Sequence, residues 1–405
     1  MTQWLTGWQY RKSCSIKGST AGAVTDYQIK VIVHYGSGTD SGEHVYLNGK
    51  CRTDFGDIRF TDSDGVILLS YWMEEKVDGD YAVFWVKVPS IPASPNTKTI
   101  YIYYNNSSAT YVGNGEDTFL CFDDFEAGNL NKWILRTGGS SYIQLETAKP
   151  LQGAYSVRLA EPVNDDYHAF MYEPVERDNI AIHARAYIDA RVDAGKASLY
   201  ARGNGTYCDA KPKIVGPCYY AALFARDGLI GIWKGIETND EVQLRAITET
   251  ISLDTEYELE FRLYGTGLRF LVNGVLKIEI DDSTYTSGYN GLHVAESETI
   301  FDEVYIRKYV EPEPSHGAWG AEERAPIAYS KTLMDSLSLS DSFHKKATQY
   351  RTLSDSLKLT EVFHRKATYK RFFSDSLTLS EAFAKTTAYY LSLIHISEPT
   401  RPLYI

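Results

Sequence analysis

Apolar and polar residues alternate along several stretches of the chain. Residues 27–33 read YQIKVIV, residues 81–88 YAVFWVKV and residues 99–104 TIYIYY, with Gly, Asp, Asn and Pro clusters between them. A period of two bounded by turn formers predicts half-buried strands. Residues 257–280 read YELEFRLYGTGLRFLVNGVLKIEI. This predicts two strands around a turn at Gly265 and a third after an Asn273-Gly274 hairpin, a three-stranded meander. Near the C-terminus Asp335, Leu337, Leu339 and Phe343 recur as Asp355, Leu357, Leu359 and Phe363, then as Asp375, Leu377, Leu379 and Phe383. The period is about 20 residues. Leu, Leu and Phe share one parity in each unit, as in a half-buried strand, and the Ser, Thr and Asp content disfavours helix.

Composition agrees with sheet. Aromatic residues make up 13% of the chain, 31 of them Tyr, and Met is scarce, so the expected class is all-β. A length of 405 residues predicts two or three domains. The net charge of -12 argues against a phosphate-binding surface, and no nucleic-acid partner is expected. No apolar run is long enough to span a bilayer. Met1 leads directly to Trp4 and Trp8 without the basic and apolar regions of a secretory leader, so an export signal is either missing or unused. Of the five cysteines, Cys208 and Cys218 have the spacing of a loop-closing disulfide in an oxidising compartment, with two unlinked thiols as the alternative. Cys14, Cys51 and Cys121 read as small buried hydrophobes. With no CxxC pair and no HxxxH, no zinc site is expected.

Residues 1–112 resemble the uncharacterised DUF2341 domain family. The resemblance rests on Trp4, Trp8, Tyr10 and Arg11, on the run from Asp57 to Asp62, on Trp85 to Pro89 and on Tyr101 to Asn105. It implies a β-sandwich and says little about chemistry. Asp57, Asp62 and Asp64 could supply oxygens to a cation, but the order Asp-Ser-Asp-Gly from Asp62 to Gly65 reads first as a hairpin turn.

A second module, residues 113–310, opens at Cys121, Phe122, Asp123, Asp124, Phe125 and Glu126 and closes with Phe301, Asp302, Glu303 and Val304. With the Asn273-Gly274 meander between these segments, it resembles laminin-G-like and other concanavalin A-like jelly rolls. That resemblance implies a two-sheet antiparallel sandwich with an aromatic-lined face or loop rim for ligands. If the first and last strands are neighbours, Asp123, Asp124, Glu126 and Asp302 become candidate ligands of a structural calcium ion. The simpler alternative is that they cap turns. Sugar recognition calls for flat aromatic faces with a few amides and carboxylates; Tyr207, Tyr219, Tyr220 and Trp233 are the candidates, with core packing as the competing role. A retaining glycosidase needs two carboxylates about 5 Å apart. No ExDxE occurs, Glu237, Asp240 and Glu241 have the wrong spacing, and Glu256, Glu258 and Glu260 alternate correctly but lie in the meander.

Residues 311–330 begin with EPEP and are expected to be a stiff linker. Residues 331–390 hold the repeats, either a stalk that associates with neighbouring units or chains, or a Ser-rich tether. Residues 391–405 contain LSLIHISEPTR, which resembles the in-frame translation of a sequencing adaptor; the natural chain is expected to continue beyond Tyr390 with more repeats. The sequence thus predicts two consecutive antiparallel β-sandwiches followed by a short-strand repeat region. The expected function is non-catalytic binding of carbohydrate or glycoprotein in adhesion at a cell or virion surface. A phage or virus tail or fibre component and a polysaccharide hydrolase or lyase are the alternatives.

Overall fold

Four sheets stack as two sandwiches. In the first, strands Ser315–Trp319, Tyr10–Lys17, Thr97–Tyr104 and Arg59–Thr61 lie side by side, with Glu323–Arg324 beside Tyr10–Lys17. Facing them are His44–Tyr46, Val24–His34, Tyr81–Ile91 and Tyr71–Val77. The alternating stretches at 27–33, 81–88 and 99–104 each fall within one of these strands, and their inward residues, among them Ile29, Val31, Phe84, Val86, Ile100 and Ile102, form the core between the sheets. Pairing is antiparallel except for Val24–His34 with His44–Tyr46, which run parallel in the register Ile32 to His44 and His34 to Tyr46. The computed structural model describes residues 3–136, 142–160, 168–189, 196–206, 216–236, 240–295 and 297–326. The repeats, the adaptor-like end, Tyr207 and Cys208 lie outside the described residues.

The second sandwich has, among the described residues, one eight-stranded and one seven-stranded sheet. The eight-stranded sheet contains the expected meander, Thr255–Tyr264, Gly267–Val272 and Val275–Asp281. Val272 pairs with Val275 across a turn in which Asn273 and Gly274 have φ of 51° and 72°, the left-handed pair that makes Asn-Gly the favoured two-residue hairpin. Cys121–Asp123 pairs antiparallel with Glu298–Lys308, placing Asp123 opposite Val304. The opening and closing strands of the sandwich are thus neighbours. Phe261, Phe270, Leu199, Leu223, Leu292 and Phe301 are among the side chains that fill the space between its sheets.

The segment expected to be a linker departs from that expectation. Ser315–Trp319 pairs with Tyr10–Lys17, matching Cys14 to Trp319 and Lys17 to Ser315. The acidic residues before it face cations: Glu313 accepts a hydrogen bond from Tyr27 at 2.7 Å and pairs with Arg307. Residues 311–324 are therefore the last strands of the first sandwich, reached after the second has been completed. A local reading of EPEP identifies prolines that break strands but not a pairing partner some 300 residues away.

Met1–Ser330 form one compact unit, and an aromatic cluster joins its sandwiches. Trp72 and Trp85 of the first pack against Phe119, Phe122 and Tyr305 of the second, with Phe119 and Tyr305 stacked at 4.3 Å. No helix among the described residues is long and apolar enough to cross a membrane.

Candidate functional site

The carboxylates at the seam of the second sandwich are held by the chain itself. Asp123 accepts hydrogen bonds from the Phe125 amide at 3.0 Å and the Trp133 indole at 2.7 Å. Glu126 Oε1 accepts from the amides of Ala154 and Tyr155 at 2.8 and 2.9 Å. Asp302 is fully buried and accepts from Ser156 Oγ at 2.7 Å and the Gln152 amide at 3.0 Å. Asp124 accepts from the Glu126 amide at 3.3 Å. Burial raises the pKa of Asp302 to about 6, and the charge of Asp124 adds to the rise. The ends of the sandwich do meet, yet Asp123, Asp124, Glu126 and Asp302 clamp turns instead of converging on one calcium ion. Among the described residues no group of three or more His, Cys, Asp and Glu side chains is placed to hold a metal. The Asp62 to Gly65 run is a turn, closed by the Gly65 amide on the Asp62 carbonyl at 2.9 Å. Asp57 is a buried loop clamp that accepts from the amides of Arg52, Asn105 and Asn106.

Tyr219 and Tyr220 are sequence neighbours on opposite faces of strand Cys218–Phe224, because side chains alternate along a strand. Tyr219 points into the core between the sheets and donates to Asp282 at 2.6 Å. It packs the core and is removed from the ligand candidates. Tyr220 and Trp233 lie on the outer face of the seven-stranded sheet, stacked at 5.8 Å with 6° between their planes. Cys218, buried on that same face, would have as its proposed disulfide partner a residue outside the described set.

Around Tyr220 and Trp233 the outer face carries aromatic residues that sequence reasoning missed. Phe170 and Tyr172 come from His168–Arg177, Tyr200 from Lys196–Gly203 and Tyr289 from Gly288–Ala295. Phe170 stacks on Tyr200 at 5.1 Å, and Tyr172 on Tyr289 at 4.8 Å. The strands can approach because Gly291 separates Tyr289 from His293: a Cβ there would fall 1.9 Å from the Met171 carbonyl oxygen.

Polar groups are set among the rings. Ser198 Oγ lies 2.7 Å from His293 Nδ1 and 2.6 Å from the His293 carbonyl. Both contacts are satisfied when the hydroxyl donates to the carbonyl and Nδ1 carries the ring proton. The Lys196 ammonium sits 4.4 Å from the centroid of the Tyr220 ring, a cation–π contact. Tyr220 donates to Glu241 at 2.5 Å, and burial followed by the Glu241 charge holds that phenol well above its ordinary pKa. Arg136 Nε, at the sheet edge, donates to the Gly205 carbonyl at 3.0 Å.

An antiparallel sandwich sheet ordinarily presents a solvated polar face away from its core. Here the outward positions are aromatic and mostly buried, as though the sheet were built to be covered on both sides. The signal was present in the sequence: in FMY at 170–172, in SLY at 198–200 and in CYYAALF at 218–224 large apolar residues occupy both parities. Such runs mark strands buried on both faces.

Two of the three glutamates with glycosidase-like alternation, Glu256 and Glu260, are ion-paired. Glu256 meets Arg185 at 2.8 Å, and Glu260 meets Arg307 at 2.7 Å and Arg262 at 2.8 Å. The two arginines hold the Glu260 carboxyl, against its burial, down at about 2.

A family model described as a domain of unknown function, DUF2341, matches residues 54–136. The match begins within the first sandwich and ends at Arg136, in an edge strand of the second sandwich. No curated protein matches the chain. Solved structures are similar to part of it. The carbohydrate-binding module CBM66 from Bacillus subtilis is 17% identical over 44% of this chain and 96% of its own, with a TM-score of 0.36. A protein of unknown function with a galectin-like fold, also from Bacillus subtilis, is 13% identical over 47% and 96%, with a TM-score of 0.37. A glycoside hydrolase family 16 endo-glucanase from Bacteroides ovatus is 12% identical over 46% and 99%, with a TM-score of 0.35.

Proposed function

We propose that the second sandwich is a non-catalytic glycan-binding module whose ligand face is the outer surface of the seven-stranded sheet. The reading is supported chiefly by one observation: Phe170, Tyr172, Tyr200, Tyr220 and Trp233 form an aromatic layer outside the sandwich core, interleaved with His293, Ser198, Glu241 and Lys196. Pyranose rings offer apolar C–H faces edged by hydroxyls, and aromatic platforms with a few fixed polar groups complement both. Tyr289, partly exposed at the margin of the layer, is the stacking surface in this reading; the partly exposed Glu241 and the exposed Arg136 are the groups for hydroxyls. Catalysis is left out of this reading because Glu256 and Glu260 of the meander are paired with arginines.

The test is a glycan array probed with the full chain, followed by titration of any retained oligosaccharide against Tyr289→Ala. Retention that weakens at least about tenfold in the variant, the scale of losing a binding hot spot, supports the assignment. Absence of any retained glycan at millimolar concentration removes it. Release of reducing sugar from complex polysaccharides would instead establish an enzyme.

A further inference from the structure

His34 and His44 are ten residues apart and match no short metal-binding motif, yet the first sandwich brings their rings together. His34 ends strand Val24–His34 and His44 begins strand His44–Tyr46, and these two strands pair in parallel. Ser41 and His44 bridge each other at the turn that reverses the chain between them. His34 Nε2 lies 2.9 Å from His44 Nδ1. The ring centroids are 5.2 Å apart and the planes differ by 20°, so the rings are nearly coplanar, with one nitrogen of each facing the other. Tyr46 stacks on His34 at 4.3 Å and 12° and limits how that ring can turn. Both imidazoles are half-buried and reachable from solvent.

We propose that His34 and His44 form a two-imidazole chelate for a late first-row divalent cation of the zinc class, with water completing the coordination. Tetrahedral zinc at about 2.0–2.1 Å from each nitrogen requires the two nitrogens to stand about 3.3–3.4 Å apart. The observed separation is shorter by about half an ångström, within reach of a small rotation of two partly exposed side chains. The neutral pair already shares one proton along the nitrogen–nitrogen line. Moving that proton to the far nitrogen of whichever ring donates it, a change of tautomer, leaves two facing lone pairs, so binding to the neutral pair releases no proton. Imidazole is a preferred ligand of zinc, copper and nickel.

The experiment is calorimetric titration of the full chain, prepared without an affinity tag, with zinc chloride and nickel chloride near pH 7.5 and near pH 5. The proposal expects one binding event near pH 7.5 that weakens toward pH 5, because a protonated imidazole cannot ligate a metal. Losing even an outer partner of a metal ligand costs about 10–100-fold in affinity, so His34→Ala and His44→Ala should each weaken binding by about tenfold or more. The unmodified chain supplies an independent readout: zinc should shift the nitrogen resonances of His34 Nε2 and His44 Nδ1 in a ¹⁵N imidazole spectrum. Equal affinity in both histidine variants, no heat of binding at millimolar metal, or unshifted nitrogens at these two rings would overturn it.

Discussion

Tyr305 in the closing strand of the second sandwich donates a hydrogen bond to Glu74 of the first at 2.9 Å. His183 lies parallel to the Tyr305 ring at 4.4 Å, and Lys30 pairs with the same glutamate at 3.2 Å. A charged group and a phenol are thus buried in the seam between the two sandwiches, each satisfied by the other. The nearby Arg307 extends the arrangement, contacting Glu260 of its own sandwich and Glu313 of the returning segment. Tyr305 is therefore expected to unite the sandwiches energetically as well as sterically. Tyr305→Phe keeps the ring stack and removes one donor to Glu74, leaving a buried carboxylate under-satisfied. The expected cost is about 1–3 kcal/mol, read from urea unfolding of the full chain. A loss below about 0.5 kcal/mol would show that Lys30 alone suffices.

Asp302 makes a pH dependence that can be isolated. Its folded-state pKa, raised by burial to about 6, exceeds the unfolded value near 3.9. The folded state therefore holds its proton more tightly than the unfolded chain does. Its contribution to stability is full below about pH 4 and is lost as pH rises through about 6. Glu260, held at about 2 by Arg307 and Arg262, acts in the opposite sense and mainly below pH 4.5. Glu303, raised by burial to about 7, shares the interval from 4.5 to 7, so the Asp302 share is the difference between the parent chain and its variant. Asp302→Asn should flatten the fall in unfolding free energy across that interval by on the order of 2 kcal/mol. An unchanged slope would place the titrating group elsewhere.

Tyr219 and Tyr289 should separate stability from binding. Tyr219→Phe removes a core hydrogen bond to Asp282 and should cost about 1 kcal/mol, with glycan retention unchanged. Tyr289→Ala should abolish or sharply weaken retention, along with a loss of stacking against Tyr172. Comparing binding after both variants are confirmed folded by circular dichroism decides the matter, and equal loss in the two would remove the outer face as the ligand surface.

Calcium should leave the seam unaffected. Asp123, Glu126 and Asp302 already accept hydrogen bonds from amides, an indole or a hydroxyl, and a cation would have to displace these donors. Millimolar calcium chloride is expected to leave the Tm of the full chain unchanged. An upward shift would mean that the turns rearrange around an ion.

Much of the fold was legible because its signals are local. Alternation at residues 27–33 and 81–88 and the Asn273-Gly274 turn depend on side-chain period and backbone dihedrals, which a few neighbouring residues decide. The candidate site was only partly legible. Periodicity separates Tyr219 from Tyr220, but it does not say which of the two looks inward, and the sequence reading grouped them together. The aromatic layer became visible once five strands from distant parts of the chain were placed side by side.

The sequence by itself determined the all-β class, the positions of the principal strands and the meander, since these follow from patterns within about ten residues. Only the tertiary structure decided that residues 315–319 return to the first sandwich, that His34 meets His44, and that Tyr305 reaches Glu74. Those contacts depend on which buried surfaces and polar groups find partners across long loops, a choice made by the packing of the whole unit that no local pattern encodes.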